Sequence, residues 1–197
     1  MASTKKEPNT SLSKTLFMKG LQCHKALFLQ KYHPELKSEL DADTMLRFAG
    51  GYDAGNYAKD LFPGGIEVPY EGMTHDDQVA MTQAELTKGT KTIYEATFSA
   101  NGIFVKLDIL HKGSKGWEMH EVKASNDFKE HYLNDLSIQY YVATKAGIPI
   151  KKAHIVYINR EYVRNGAIDP KKLFVIEDIT EVFNGQVQKM VGCLGQS

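Results

Sequence analysis

Hydrophobic residues in the first half of the chain recur mainly at helical spacing, and glycine-rich or polar stretches separate the segments. Ser13 can cap the first helix, and Pro34 ends it because the residue before a proline avoids the helical conformation. Thr74 and Asp77 are spaced as a capping box. Helices are expected over residues 13–33, 43–62 and 74–88, and a short strand is expected over residues 66–70.

The pattern then changes to alternating hydrophobic and polar residues, which is typical of strands. Asn101–Gly102 is the strongest hairpin signal, and a second turn is expected over residues 112–116. Strands are predicted over 92–98, 103–110, 117–123, 153–159 and 173–177, and helices over 128–146 and 178–190. This order predicts an α/β fold in which a mixed sheet of four to five strands is flanked by helices.

Composition and charge are those of an ordinary globular protein. Lys plus Arg and Asp plus Glu both number 24, which excludes a strongly basic nucleic-acid coat but not a local basic cleft. No stretch approaches the roughly 20 apolar residues that span a membrane, and no glycine-rich phosphate loop is present. We expect a disordered leader over 1–11, one domain over 12–197 that could belong to a longer protein, and a cytoplasmic location.

The register of the predicted hairpin brings two acids together. A two-residue turn at Asn101–Gly102 places Glu95 directly opposite Asp108. Two like charges in such a pair are unfavourable unless a cation lies between them or one carries a proton. The other face of the second strand is expected to supply core residues, namely Val105, Leu107 and Ile109.

The third strand of the meander adds a further acid and a lysine. Glu121 and Lys123 share one face, and an even-numbered second turn brings Asp108 to that face too. At least one of the two clustered carboxyls is then expected to have a raised pKa. Hard carboxylate oxygens suit Mg²⁺ or Mn²⁺, and an ammonium can orient water or stabilise charge on phosphorus. The spacing alone fits a solvated strand face with a cross-strand ion pair equally well.

The order Glu95, Asp108, Glu121-x-Lys123 and Gln139 resembles the PD-(D/E)XK nuclease superfamily, restriction-endonuclease-like in its core. It is most similar to the RecB-like branch, which includes CRISPR-associated RecB-like exonucleases, and to a RecB-like domain of large bacterial proteins. The resemblance covers residues 12–180. It includes the short sequence motifs Leu12-Ser-Lys-Thr, Phe62-Pro-Gly-Gly, Tyr94-Glu-Ala-Thr, Asp108-Ile-Leu, Glu121-Val-Lys and Ile138-Gln-Tyr-Tyr.

The resemblance implies a metal-dependent nuclease that hydrolyses DNA phosphodiester bonds, with single strands or DNA ends favoured. It implies that Asp108 and Glu121 bind Mg²⁺ or Mn²⁺, and the hairpin register adds Glu95 as a third ligand. It further implies that Lys123 is catalytic and that Gln139 lies near the substrate or the metal. Further domains, subunits and the oligomeric state are left open.

Several features depart from the family pattern. RecB-type nucleases usually carry a metal-binding histidine after a glycine in an early helix, and residues 51–60 contain none. Asp53 or Tyr57 could face the site instead, but neither is a like-for-like replacement. Cys23 and Cys193 are too few for the four-cysteine iron–sulfur cluster of some relatives. The histidines show no metal-ligand spacing. The alternative function is therefore a catalytically silent nucleic-acid-binding or assembly module with the nuclease fold.

Overall fold

A mixed sheet forms the centre of the computed structural model, which describes residues 11–39 and 41–183. The strands are β1 (Leu12–Ser13), β2 (Ile66–Glu67), β3 (Thr92–Ala100), β4 (Ile103–Gly113), β5 (Gly116–Lys123), β6 (Ile150–Ile158) and β7 (Phe174–Asp178). The helices are α1 (Lys14–Gln22), α2 (His24–Tyr32), α3 (Ala42–Lys59), α4 (His75–Lys88), α5 (Tyr132–Lys145) and α6 (Pro170–Leu173), with a short 3-10 helix at Pro34–Leu36.

The strands lie in the order β2-β3-β4-β5-β6-β7, and β1 pairs with β4 off this path. Strands β3, β4 and β5 form an antiparallel meander, β6 returns parallel to β5 after α5, and β7 is antiparallel to β6. The predicted α/β class with a mixed, helix-flanked sheet is confirmed. The described sheet has seven strands rather than four or five. The strand β2 lies within the short strand predicted over 66–70, whereas β1 is two residues long and too short to show an alternating pattern.

The N-terminal helix predicted over 13–33 is two helices in the structure. Ser13 caps α1 as expected, since its Oγ accepts the N–H of Leu16 at 3.2 Å. Cys23 then takes an extended conformation, with φ −163° and ψ 115°, which ends α1 and lets α2 start at the next residue. Hydrophobic spacing does not report a single extended residue, so the prediction of one helix is wrong. Cys23 is exposed with a free thiol, and Cys193 lies outside the described residues.

Other element boundaries agree with the sequence to within a few residues. The capping box of Thr74 and Asp77 is present at the start of α4, whereas α5 begins at Tyr132 and not at Phe128. Of the predicted terminal helix, residues 180–183 are described and helical, and the remainder lies outside the described residues, as does the leader before Ser11. No helix in the described part of the chain is both long and apolar enough to cross a membrane.

Two buried clusters cover the two faces of the sheet. The larger packs under α5 and contains among others Val105, Leu107, Met119, Leu136, Ile138 and Ile155. The smaller packs under α3 and contains Ala54, Ala58, Tyr94, Ile109, Val156 and Phe174. Full burial of one such aliphatic side chain stabilises the fold by about 1.5–3 kcal/mol. These clusters hold β3, β4 and β5 rigid where the polar residues of the candidate site extend from them.

Candidate active site

The first hairpin has the register that Asn101–Gly102 predicts. Ala100 pairs with Ile103, and ladder pairs with the same register lie on both sides of Glu95 and Asp108. The two acids therefore hold matching positions, as predicted. The ladder itself skips them, because the backbone of Glu95 is in the left-handed region with φ 55°.

Side chains on both β3 and β4 change face at the positions of Glu95 and Asp108. Val105 and Leu107 pack under α5, whereas Ile109 packs in the cluster under α3. Strict alternation placed all three on one face, and that prediction is wrong for Ile109. A left-handed residue interrupts the two-residue alternation of its own strand, which is β3 here. On β4 the change of face falls at Asp108, the matching position.

The second turn of the meander has two residues, which is the even number that the prediction required. Gly113 pairs with Gly116, so the turn is shorter than the predicted 112–116. The ladder continues to the pair of Ile109 and His120, and Asp108 and Glu121 hold the next matching positions. The N–H of Val122 donates to Oδ2 of Asp108 at 2.7 Å, which ties the acid to β5.

A cleft of about 500 Å³ opens at this point between α3 and the sheet. Glu95, Asp108 and Glu121 all line it, so the three predicted acids meet in one space. Lys59 and Lys106 also line it. The cleft therefore combines a cluster of carboxylates with flanking cations, although the chain as a whole carries no net charge.

Helix α3 forms the wall that faces the acids. It contributes Gly51, Tyr52, Gly55, Asn56 and Lys59 to the lining. Neither Asp53 nor Tyr57, the two residues considered in place of the family's histidine, is part of this lining, because both lie on a neighbouring face of the helix. Two lining tyrosines are mostly exposed, Tyr52 at 73% and Tyr70 at 74%, and Lys106 lies over the Tyr70 ring at 4.6 Å.

Glu121 is held by three side chains from three different elements. Its Oε1 accepts hydrogen bonds from the ammonium groups of Lys14 and Lys123, both at 2.9 Å. Its Oε2 accepts a bond from Nε2 of Gln139 at 2.6 Å. The side chain of Glu121 is only 2% exposed, so this carboxylate has two counter-charges and a fixed orientation. Gln139 is fully buried, and its Oε1 has no partner among the described residues.

Lys123 is fixed between two acids. Besides Glu121, its ammonium contacts Oδ2 of Asp135 on α5 at 2.8 Å. Burial opposes the charged form of Lys123, but Glu121 and Asp135 outweigh burial and raise the pKa above its ordinary value. The lysine is therefore a permanent, oriented cation beside the cleft.

The pKa values of the two central carboxyls, Asp108 and Glu121, are shifted in opposite directions. Burial and the neighbouring Glu121 raise the pKa of Asp108 to about 8. Burial also opposes ionisation of Glu121, yet Lys14 and Lys123 together hold its pKa at about 2. The expectation that at least one of the pair is raised is confirmed. Clustered carboxyls respond in this way because two like charges in a poorly solvated space disfavour joint ionisation.

Glu95 belongs to the same electrostatic environment. Burial raises its pKa, and the cations of Lys106 and Lys59 act in the opposite direction. Glu67 and Glu121 raise it further. Three carboxyls thus share a region in which each additional negative charge is unfavourable.

Lys14 is a residue of this site that sequence reasoning missed, as it missed Tyr52, Lys59, Tyr70 and Lys106 in the lining of the cleft. It follows β1, whose pairing with the start of β4 carries the beginning of α1 towards Glu121. Neighbouring Glu121 and Asp108 raise the pKa of Lys14 although its burial acts to lower it. In the sequence, Lys14 is marked only by its position in the motif Leu12-Ser-Lys-Thr. That motif is part of the family resemblance, but it does not indicate what Lys14 does.

Comparison with known proteins finds similarity in structure alone: no family model and no curated protein matches the chain. An alkaline exonuclease from Laribacter hongkongensis is similar with 9% identity and a TM-score of 0.47, over 95% of this chain and 92% of that chain. A phage-related exonuclease from Haemophilus somnus 129PT is similar with 12% identity and a TM-score of 0.32, over 79% and 85%. Similarities at this level carry no functional argument, which comes from the side chains of the cleft.

Proposed function

We propose that this chain is a divalent-metal-dependent nuclease of the PD-(D/E)XK superfamily, RecB-like in type, that hydrolyses DNA phosphodiester bonds. The observation that carries the proposal is the convergence of Asp108 and Glu121 with an ammonium, that of Lys123, which is fixed at 2.9 Å from Glu121. On an ordinary solvated strand face these charged side chains would be exposed to water, whereas here Glu121 is buried. Asp108, Glu121, Lys123 and Gln139 are the proposed active-site residues.

The donor set fits Mg²⁺ or Mn²⁺, which prefer oxygen ligands and commonly bind one or two carboxylates. Asp108 and Glu121 would hold the ion, with Glu95 as a third acid on the same cleft. The raised pKa of Asp108 marks a place where a nearby positive charge would favour the ionised carboxyl. The buried Oε1 of Gln139, which has no partner among the described residues, is a further unused acceptor beside Glu121. A bound divalent ion supplies polarisation of a phosphoryl oxygen and a bound water of lowered pKa.

The side chains of the chain supply the remaining functions. Lys123 keeps its proton between Glu121 and Asp135, so its ammonium can orient the attacking water or stabilise negative charge on phosphorus. Gln139 fixes the second oxygen of Glu121. Lys14 supplies a counter-charge that keeps Glu121 ionised in a buried position.

Single-stranded DNA, or a frayed DNA end, is the proposed substrate. Tyr52 and Tyr70 present largely exposed rings on the cleft, and Lys59 and Lys106 add positive charge to its wall. Proteins that bind single strands combine such cations with aromatic rings on which unpaired bases stack. A paired duplex offers its bases to such rings only where it is opened.

Cleavage of end-labelled DNA tests the proposal directly. The chain with Mn²⁺ is expected to cut a labelled single strand, and Asp108→Ala or Glu121→Ala is expected to abolish cleavage and weaken Mn²⁺ binding. Asp53→Asn, on α3 but outside the lining of the cleft, is the matched control and is expected to retain activity. Absence of cleavage by the unmodified chain with Mg²⁺ and with Mn²⁺ would refute the proposal.

The second candidate function is a catalytically silent nucleic-acid-binding module. It is favoured by the wall of α3, where the described lining contains no histidine and no carboxylate. It is also favoured by Glu121, whose Oε1 is already bonded to Lys14 and Lys123. Binding of labelled single-stranded DNA without metal-dependent cleavage would establish this alternative.

A further inference from the structure

Three side chains with metal-binding groups meet on the face of β5 that is turned away from Glu121. His120 and His154 are register partners on the parallel strands β5 and β6. Glu118 lies two residues before His120 and therefore on the same face. One donor atom of each residue lies within 4.8 Å of those of the other two. None of the three lines the cleft of the candidate active site.

Both imidazoles are buried and incompletely hydrogen-bonded. His120 is 3% exposed and His154 is 7% exposed. The Nδ1 atom of each ring is buried and has no hydrogen-bond partner among the described residues. Buried polar atoms are rarely left unpaired, because their lost hydration is not replaced. The two rings therefore offer donor atoms that the protein itself leaves unused.

The chemistry of these groups suits a borderline transition metal better than Mg²⁺. Two imidazoles with one carboxylate form a donor set known for Zn²⁺ sites with an open position, whereas Mg²⁺ prefers oxygen ligands. Neutral imidazole is the form that binds such metal ions, through a ring nitrogen that carries no proton.

We propose that Glu118, His120 and His154 bind one Zn²⁺-like transition-metal ion at a site separate from the candidate active site. The rings are stacked, with centroids 4.4 Å apart and planes 9° from parallel. A metal lies in the plane of the imidazole that binds it, so binding turns the rings out of this stack. The ion would join β5 to β6, next to the strand segment that carries Glu121.

Asp178 is placed to orient one of the ligands. Its Oδ2 lies 3.7 Å from Nε2 of His154 and 2.7 Å from the ammonium of Lys152. A carboxylate beside the second ring nitrogen of a metal-binding histidine is the arrangement that fixes the ring and raises its basicity. Asp178 is therefore a positioning residue in this proposal and not a fourth ligand, since Lys152 already neutralises it.

Titration of the full chain with Co²⁺ and Zn²⁺ tests the proposal, with Asp108→Asn as the background so that the active-site cleft is impaired. We expect one equivalent of Co²⁺ to produce visible absorption with a nitrogen-ligand signature, and Zn²⁺ to displace it. His154→Gln and Glu118→Gln are each expected to weaken Zn²⁺ binding by at least about tenfold, in line with the loss caused by removing even a supporting residue of a metal site. His33→Gln, which replaces an exposed histidine, is the matched control.

Folding of each variant is checked by its melting temperature in EDTA. In the Asp108→Asn background, Zn²⁺ is expected to raise the melting temperature with and without His33→Gln, and to raise it less when His154→Gln is added. The proposal would be overturned if adding His154→Gln to the Asp108→Asn background left the Zn²⁺ affinity unchanged. Absence of visible Co²⁺ absorption would overturn it too. DNA cleavage is measured in parallel, because the Zn²⁺ result does not depend on whether the chain is a nuclease.

Discussion

Neutralising Asp108 is expected to stabilise the protein while it removes a proposed metal ligand. Burial and the charge of Glu121 raise the pKa of this carboxyl to about 8. Asparagine has nearly the same shape and keeps an oxygen that can accept the N–H of Val122. Asp108→Asn therefore removes the cost of keeping this carboxyl protonated, or of a second negative charge beside Glu121, and changes little else.

The size of the effect follows from linkage between protons and folding. An acid whose pKa is higher in the folded state binds more protons when folded, so stability falls as pH rises between the two values. For Asp108 this window runs from 3.8 to about 8. At pH 7 the rise from 3.8 spans about three pH units, or ~4 kcal/mol at ~1.4 kcal/mol per unit. Asp108 is half-buried and water screens part of the cost, so we expect Asp108→Asn to raise the free energy of unfolding by about 2 kcal/mol.

Urea unfolding followed by circular dichroism measures this difference. The assay compares the unmodified chain with Asp108→Asn in EDTA at several values between pH 5 and pH 8. We expect the stability of the unmodified chain relative to the variant to decrease as pH rises. Asp53→Asn is the control, because it removes an exposed carboxyl from α3. Mg²⁺ is then expected to stabilise the unmodified chain more than Asp108→Asn, since a ligand of the folded state shifts the equilibrium towards it.

A variant that is no more stable than the unmodified chain at pH 8 would contradict this reasoning. So would a difference that stays constant across the pH range. Either result would mean that Asp108 and Glu121 do not repel each other in a poorly solvated space, and the electrostatic reason for a divalent ion between them would be lost.

Three other substitutions test separate parts of the site and the core. Lys123→Met is expected to lower the single-turnover cleavage rate by about 10²–10³-fold with nearly unchanged Mn²⁺ affinity by calorimetry; a large loss of affinity would contradict the assigned role. Tyr52→Ala is expected to weaken single-stranded DNA binding by about 1–3 kcal/mol in fluorescence anisotropy, and an equal loss in Tyr32→Ala on α2 would argue against stacking. Leu107→Ala is expected to lower the free energy of unfolding by about 2–5 kcal/mol, because Leu107 is fully buried; a loss under 1 kcal/mol would place it outside the core.

Local spacing was sufficient to bring Glu95 and Asp108 together, and it placed Glu121 with them on the condition that the second turn be even-numbered. Asn101–Gly102 determines the register of β3 and β4, and the two-residue second turn extends it to β5. Both turns are short, so few registers are compatible with them. The meeting of Glu95, Asp108 and Glu121 could be predicted because all three lie on one antiparallel meander.

Contacts between distant segments could not be predicted in this way. Lys14 reaches Glu121 through the two-residue strand β1, which is too short to leave an alternating pattern. His120 and His154 become neighbours only when β6 pairs in parallel with β5 after the intervening α5. A search for histidines at metal-ligand spacing along the chain therefore does not find them. The left-handed Glu95 is also a tertiary outcome, since no residue preference signals it.

The contact between Lys14 and Glu121 has a consequence for the order of folding. It joins residues 107 positions apart, while the meander that carries the acids forms from neighbouring segments. Closing so long a loop is entropically less favourable than pairing adjacent strands, so the meander is expected to assemble before α1 docks. A partly folded chain would then hold all three acids in place with only one ammonium, that of Lys123, on Glu121. Its circular dichroism would resemble that of the native sheet, and the attachment of the N-terminal segment, rather than the formation of the sheet, would be the event that completes the charge balance of the cleft.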